Sequence, residues 1–283
     1  MTTHQVISDI KSALAAAYPE GEVRAFVRIL FEEWMHYSTV DIYMRADSEV
    51  PPFVVEKMRY AVQRLLRHEP IQHIVGVAHF HGHRFAVSKH TLIPRPETEQ
   101  LVDMIVDRNQ DVPDLCVLDI GTGSGCIACS LARALRFAEV HAFDISQPAL
   151  DLAAENARNL GVKVAFHHVD ILNAVPQPQQ FHIIVSNPPY ICMHEQQLME
   201  DNVLRYEPHS ALFVPDNDPM LFYRAIARYA SVALKPGGKL YFEINAAYGN
   251  ATAQLLANFH FAEIEVARDF YGRDRFVSAL WLP

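Results

Sequence analysis

Apolar residues in the first quarter of the chain recur at helical spacing: Val23, Phe26, Val27, Leu30 and Phe31 in one run, then Val54, Val55, Met58, Ala61, Val62 and Leu65. Intervals of three and four place such positions on one face of a helix, which turns every 3.6 residues. Residues 1–75 are therefore predicted to form a small helical domain. Its last helix opens at Pro51-Pro52, where a missing backbone N–H is tolerated. Beyond it the period changes. The segment 79–87, with His81-Gly82-His83 at its centre, reads as a β-hairpin, and residues 76–95 are expected to link two domains. From Glu97 onward helices alternate with short apolar runs. Strands are expected to end near Ile120, Asp144, Asp170 and Ser186, and further strands are expected at 240–244 and 276–280. That alternation predicts an α/β domain over 96–283, a mostly parallel sheet with helices on both faces. Pro236-Gly237-Gly238 reads as turn punctuation before a strand.

Ligands of such sheets bind beyond the carboxyl ends of the strands, so the polar residues at those ends are the candidate chemistry. The strand Cys116–Ile120 runs into Gly121-Thr122-Gly123-Ser124-Gly125 and then an apolar helical stretch beginning at Cys126. Strand, glycine turn and helix in that order suit a nucleoside cofactor, because glycines accept positive φ and let a ligand approach the backbone. Cys126 stands where the dinucleotide pattern G-x-G-x-x-G needs its third glycine. The next strand ends in Asp144, roughly 20 residues on, where a carboxylate can accept hydrogen bonds from both ribose hydroxyls. The third, 164–169, is followed by Asp170, a candidate acceptor for an adenine amino group. The plainer reading of either aspartate is a helix N-cap.

After the apolar run 181–185 come Asn187-Pro188-Pro189-Tyr190. An asparagine offers a donor and an acceptor, two prolines stiffen the turn and remove backbone donors, and an aromatic ring can stack on a flat group. The set suits a planar nitrogen, an amide or an exocyclic amine. Its plainer reading is a rigid turn leaving a buried strand.

The chain has 283 residues, half of them hydrophobic, a length that fits two domains. A formal net charge of −9 argues against a general polyphosphate binder, whose affinity comes from Lys and Arg neutralising phosphates. Lys57, Arg59, Arg64 and Arg67 cluster on one expected helix and read first as a solvated face. The four cysteines, at 116, 126, 129 and 192, lack the spacing of a disulfide framework. Cys126 and Cys129 form C-x-x-C but fall just after the glycine turn, as packing residues would. His79, His81 and His83 alternate without a matching set of carboxylates or cysteines, so no metal site is expected. No apolar run approaches the ~18 residues of a membrane span, and the expected location is cytoplasmic.

Residues 119–125, Asp144, Asp170 and 187–190 together resemble the motif series of S-adenosylmethionine-dependent amino methyltransferases. The segments 69–76, Phe80-His81-Gly82, Thr91-Leu92-Ile93-Pro94-Arg95-Pro96-Glu97-Thr98-Glu99 and Arg205-Tyr206-Glu207-Pro208 narrow the resemblance to release factor glutamine methyltransferases. It implies a class I, Rossmann-like methyltransferase fold with S-adenosylmethionine as cofactor, held by Gly121, Thr122, Gly123, Ser124, Gly125, Asp144, Asp170, Ile171 and Asn187. It implies methyl transfer to the side-chain amide nitrogen (N5) of the glutamine in the Gly-Gly-Gln loop of class I peptide chain release factors. Asn187, Pro188, Pro189 and Tyr190 would bind that glutamine, with Asn187, Pro188 and Tyr190 catalytic and the helical domain recognising the protein substrate. Arg95, Glu97 and Arg205 would line the entrance, the plainer reading of Arg95 and Glu97 being that they stitch the linker to the catalytic domain by an ion pair or helix cap. No direct nucleic-acid or membrane partner is implied. The chain departs from the family at Ile171, where relatives often carry an aromatic residue, and at Asn245-Ala246-Ala247, where a glycine is expected soon after the strand. A glutamine methyltransferase of a large-subunit ribosomal protein, a DNA adenine-N6 methyltransferase and a non-catalytic binding module are the alternatives. The first two share the Asn187–Tyr190 clamp.

Overall fold

The computed structural model describes residues 1–283, the side chain of Leu198 excepted, and divides into two compact units: Met1–Gly76 with Glu200–Tyr206, and Val77–Met199 with Glu207–Pro283.

The first unit begins with α1 (Thr3–Leu14), α2 (Glu20–Met35), α3 (Thr39–Met44), α4 (Pro52–Leu65) and α5 (Ile71–Val75). Helix α1 opens with a capping box, in which the Thr2 side chain accepts from the Gln5 N–H while Gln5 returns a bond to the Thr2 N–H. All eleven apolar positions read from the periodicity are buried, and they share one core with Val6, Ile10 and Leu14 of α1. Each Val, Leu, Phe or Met among them contributes about 1.5–3 kcal/mol by leaving water. Helix α4 is not the last of the unit, as the pattern suggested. Five residues beyond it the short α5 follows Pro70, and Arg64 ties the two together, with Nε 2.7 Å from Glu69 Oε2 and Nη2 3.3 Å from the His73 carbonyl. Three of the four basic residues are thus spent locally: besides Arg64, Arg59 pairs with Glu56, and the Lys57 ammonium lies 4.2 Å from the Trp34 ring centroid.

The second unit opens with the hairpin β1 (Val77–Phe80) and β2 (His83–Ala86), whose turn residues His81 and Gly82 both have positive φ. His81 is held by Asp103, 3.0 Å away. There follow α6 (Pro96–Asp107), β3 (Cys116–Ile120), α7 (Cys126–Ala134), β4 (Glu139–Asp144), α8 (Gln147–Leu160), β5 (Ala165–His168), β6 (Phe181–Ser186) and β7 (Ile191–Cys192). The chain then passes through α9 (Asp201–Tyr206), which groups with the first unit, and returns as β8 (Phe213–Val214), α10 (Leu221–Ala233), β9 (Leu234–Glu243), α11 (Gly249–Asn258), β10 (Phe261–Arg268) and β11 (Asp274–Trp281).

Seven strands form one sheet in the order β10-β11-β9-β6-β3-β4-β5. The five from β9 to β5 are parallel, and β11 and β10 add antiparallel at one edge. This is the mostly parallel sheet that the alternation of helices and strands predicts. Both faces are covered at its centre, which is why β3 and β6 read as largely apolar runs. Along β3, Val117 packs in a core with Leu101, Ile105 and Leu131 of α6 and α7, while Leu118 packs with Ile226 and Ala230 of α10.

β7, β8 and β10 are not among the expected strands, and two of the expected ones differ in extent. Pro236-Gly237-Gly238 lies inside β9 rather than before it, because the strand pairs with Phe181 through Leu234, bulges, and resumes at Lys239 opposite Ile183. β5 stops at His168, so Asp170 stands two residues beyond the ladder.

From β3 the chain steps through β4 and β5 to one side, and then through β6 and β9 to the other. The crevice between β3 and β6 is thus the switch point at which α/β sheets take ligands. Ser186 Oγ, 2.6 Å from the Ile120 carbonyl, binds the two strands at that end.

Candidate functional site

A cavity of about 340 Å³ opens over the carboxyl ends of β3, β4 and β6, within the usual size of small-molecule sites, roughly 300–1,000 Å³. Gly121 to Ser124, Asp144, Asp170 and Ile171 line it together with Asn187, Pro188 and Pro189. Residues read separately from three strand ends and a glycine turn therefore meet at one place. Gly125 and Tyr190 are not among the residues lining it.

The glycine turn works differently from the simplest expectation. Its N–H groups are used by the neighbouring strand end: Gly121 and Thr122 donate to the Phe143 carbonyl at 2.8 and 3.0 Å, and Gly123 donates to Asp144 Oδ2 at 2.9 Å. What Gly123 offers the cavity is room. Its φ is +55°, and a Cβ there would meet nothing within 4 Å. Gly125 instead serves packing, since a Cβ there would stand 3.0 Å from Ala153 Cβ of α8. Beneath the turn Asp119 is fully buried and accepts from Thr122 Oγ1 at 2.6 Å. Burial pushes its carboxyl up to about 7.

Asp144 accepts from Gly123 and, through Oδ1, from the Ser146 N–H at 2.8 Å. Burial raises its carboxyl while these backbone donors lower it. A carboxylate has about four acceptor sites, so lone pairs remain for a diol. Asp170 is not the helix N-cap of its plainer reading, since among the described residues no helix lies between β5 and β6; it closes a turn, with Oδ1 accepting from the Leu172 N–H at 3.0 Å and Oδ2 from Asn173 Nδ2 at 2.7 Å. Ile171 is buried, and Phe143, Phe222 and Ile226 add apolar wall. A diol acceptor, a turn open to the cavity and an apolar wall fit an adenosine-bearing cofactor.

The Asn187–Tyr190 segment is held from outside the motif, by residues the sequence pattern did not single out for chemistry. Asn187 Nδ2 donates to Thr98 Oγ1 at 3.3 Å, and the Thr98 hydroxyl donates to Glu243 Oε2 at 2.7 Å. The Tyr190 hydroxyl turns to Glu243 Oε1 at 3.1 Å; burial and the nearby carboxylate push the phenol up. Asn245, standing where a glycine was expected, donates from Nδ2 to the Tyr190 carbonyl at 3.3 Å, and its Oδ1 accepts from the Ala247 N–H. Its side chain thus gives the departure from the family pattern a structural use.

Arg95 lines the cavity and pairs with Glu207, a buried carboxylate that also accepts from the Ile93 N–H at 3.0 Å. The stitching role is thus directly visible for Arg95. Glu97 sits in the first turn of α6, where an acidic side chain favours the helix dipole. Arg205 pairs with Asp201 one turn away at 2.9 Å. Cys126 and Cys129 are free thiols packed in the core, pushed up to about 12 by burial. Cys192, His194 and Asp216 bring metal-type ligand atoms together. Their atoms already have protein partners, with His194 Nδ1 2.8 Å from Asp216 Oδ1 and Cys192 Sγ 3.3 Å from the Tyr248 hydroxyl.

The chain matches the family described as "PrmC N-terminal domain" over residues 5–76 and "Methyltransferase small domain" over 98–206. A release factor glutamine methyltransferase from Bacteroides thetaiotaomicron is 43% identical over 277 residues, spanning 98% of this chain and 99% of its own. One from Flavobacterium psychrophilum is 42% identical, covering 94% of each. The chain belongs to the release factor glutamine methyltransferase family. Membership makes it an S-adenosylmethionine-dependent methyltransferase, in agreement with the motif series. A solved methyltransferase structure from Pyrococcus furiosus shares the fold, with a TM-score of 0.53 at 16% identity over 80% of this chain and all of its own. The Thermus thermophilus 16S rRNA N2 G1207 methyltransferase gives 0.52 at 19% identity, over 72% of this chain and 49% of its own.

Proposed function

We propose that this member of the family methylates the side-chain amide nitrogen, N5, of the glutamine in the Gly-Gly-Gln motif of class I peptide chain release factors. The observation that carries the reading is that Asn187 and Pro188 line the same cavity as Asp144 and the glycine turn. Gly121 to Gly125, Asp144, Asp170 and Ile171 are the residues assigned to the cofactor, and 187–190 those assigned to the glutamine. S-adenosylmethionine supplies, when bound, a methyl group activated by its sulfonium.

An amide nitrogen is a poor nucleophile because its lone pair is delocalised into the carbonyl. The Asn187 side-chain oxygen and the Pro188 carbonyl accept its two N–H hydrogens, which orients the nitrogen and stabilises positive charge as it develops. Tyr190, Pro188 and Pro189 give the segment its rigidity, and Tyr190 acts through its bond to Glu243. Holding the nucleophile in line can supply several kcal/mol of the barrier. In this reading residues 1–75 recognise the release factor, 76–95 link, and 96–283 carry the chemistry in the cytoplasm. Among the described residues no helix is long and apolar enough to cross a membrane.

The test is incubation with methyl-labelled S-adenosylmethionine and, in parallel, a class I release factor, the same factor with its loop glutamine replaced, ribosomal protein and duplex DNA. Label on the intact release factor alone is expected; label on ribosomal protein or DNA instead overturns the substrate. Asn187→Ala is expected to abolish turnover with modest loss of cofactor affinity, and Asp144→Ala to weaken cofactor binding first. Near-normal turnover by Asn187→Ala would remove that residue from the mechanism.

A further inference from the structure

We propose that Glu243, acting through the Thr98 hydroxyl, is the positioning residue that sets which end of the Asn187 amide faces the substrate. The inference rests on the reading of Asn187 as the clamp. Neither residue stands in the Asn187–Tyr190 motif: Thr98 lies in the first turn of α6 and Glu243 ends β9.

Asparagine is nearly symmetric in shape but opposite in polarity at its two ends. A clamp for an amide N–H needs the oxygen toward the substrate, and the reversed rotamer presents a donor to a donor. Something must break the near-degeneracy. An ionised carboxylate only accepts hydrogen bonds. Glu243, 1% exposed, takes the single hydroxyl hydrogen of Thr98 at Oε2 and that of Tyr190 at Oε1. With its proton committed, Thr98 Oγ1 has only lone pairs left, and at 3.3 Å it can receive the NH₂ end of Asn187 alone. A reversed amide would set oxygen against oxygen with no proton between them. The oxygen is therefore the end turned away from Thr98, on a residue that lines the cavity.

The relay requires a charged Glu243. Burial above all, with the nearby Glu97 carboxylate, raises its carboxyl above the ordinary value, and the Thr98 hydroxyl, the Arg275 guanidinium and the Tyr190 hydroxyl oppose that rise by favouring the charged form. Arg275 is itself held by Asp269 at 3.2 Å and by the Ile244 carbonyl at 3.3 Å. Buried and satisfied at both oxygens, Glu243 is a fixed reference for the polarity of everything bonded to it.

The experiment measures kcat and KM for a class I release factor, the dissociation constant for S-adenosylmethionine, and Tm, in the full chain carrying Thr98→Val, Thr98→Ser or Glu243→Gln, with Asn187→Ala alongside. Thr98→Val keeps the shape and loses the relay; kcat is expected to fall roughly ten- to a hundredfold, as for a misplaced reacting group, with cofactor affinity within about twofold. Thr98→Ser restores the hydroxyl and is expected to restore kcat. Glu243→Gln can donate to Thr98, which frees the hydroxyl proton to point at Asn187, and is expected to lower kcat with little change in KM. A Thr98→Val protein with wild-type kcat, or a Thr98→Ser protein as impaired as Thr98→Val, overturns the proposal. If Thr98→Val does not fold, Glu243→Gln decides: wild-type kcat overturns the proposal and a lowered kcat at unchanged Tm supports it. Near-normal turnover by Asn187→Ala would instead sink the clamp itself, and a dead Asn187→Ala beside a fully active Thr98→Val would sink only the relay.

Discussion

Two glycines of one turn, two residues apart, should fail in different ways when each gains a methyl group. Gly123 has φ +55° and open space where a Cβ would stand, whereas Gly125 has φ +79° and would place its Cβ 3.0 Å from Ala153 Cβ and 3.3 Å from Ala153 Cα. An L side chain in the left-handed region costs about 1–2 kcal/mol at either position. For Gly123→Ala that is the whole stability cost, and the methyl occupies cavity space. Gly125→Ala adds overpacking of about 1–3 kcal/mol, because part of what it meets is helix backbone, for a total of about 2–5 kcal/mol. Stability of a natural domain is about 5–15 kcal/mol, so the second variant approaches the margin and the first does not. Urea unfolding with calorimetric titration of S-adenosylmethionine separates the two. Gly123→Ala should unfold within about 2 kcal/mol of wild type and bind cofactor at least tenfold more weakly, a loss of about 1.4 kcal/mol. Gly125→Ala should be the less stable of the pair. Wild-type cofactor affinity in Gly123→Ala, or equal stability in the two, would refute the division of labour between room and packing.

Thiol titration of the native protein should show Cys126, Cys129 and Cys192 protected. All three are buried, and the first two are pushed up to about 12. Half-buried Cys116 should react first and all four should react after unfolding; rapid native labelling of more than one thiol would contradict the core assignment. The buried Asp119 should leave a pH signature in stability. Its folded value of about 7 stands above the ordinary 3.8, so the folded chain keeps a proton that the unfolded chain releases. Its contribution is full below about 4, is lost as pH rises toward 7, and is level above. Asp119→Asn should therefore gain stability relative to wild type across that window, by an amount of the order of 4 kcal/mol at the upper end. A difference that stays flat from pH 4 to 7 in parallel melts would show that Asp119 is already ionised in the acid range.

Much of this molecule is local in origin and so was legible in the sequence. The buried faces of α2 and α4 follow from three-and-four spacing. The strand Cys116–Ile120 was readable to the residue because both its faces are covered, leaving a run that is apolar but for the buried Asp119 and ends at a glycine. Strand ends carry polar residues in order along the chain, and the topology of a doubly wound sheet sends those ends to one crevice, so it was legible in advance that Asp144, Asp170 and Asn187 would line one cavity. Less legible were features that depend on what a segment packs against: the bulge that draws Pro236-Gly237-Gly238 into β9, the helix α5 and the grouping of Glu200–Tyr206 with the first unit.

What only the tertiary structure decided is the set of buried polar partners. Thr98 meets Glu243 across 145 residues of chain, Asn187 meets Thr98 across 89, and Arg95 meets Glu207 across 112. Periodicity tells which face of an element is buried, and a motif tells which chemistry a strand end could hold. Neither carries information about which distant hydroxyl will lie within hydrogen-bonding distance of a given carboxylate. That depends on the register of β9 against β6 and on where α6 crosses the sheet, and both are set by packing.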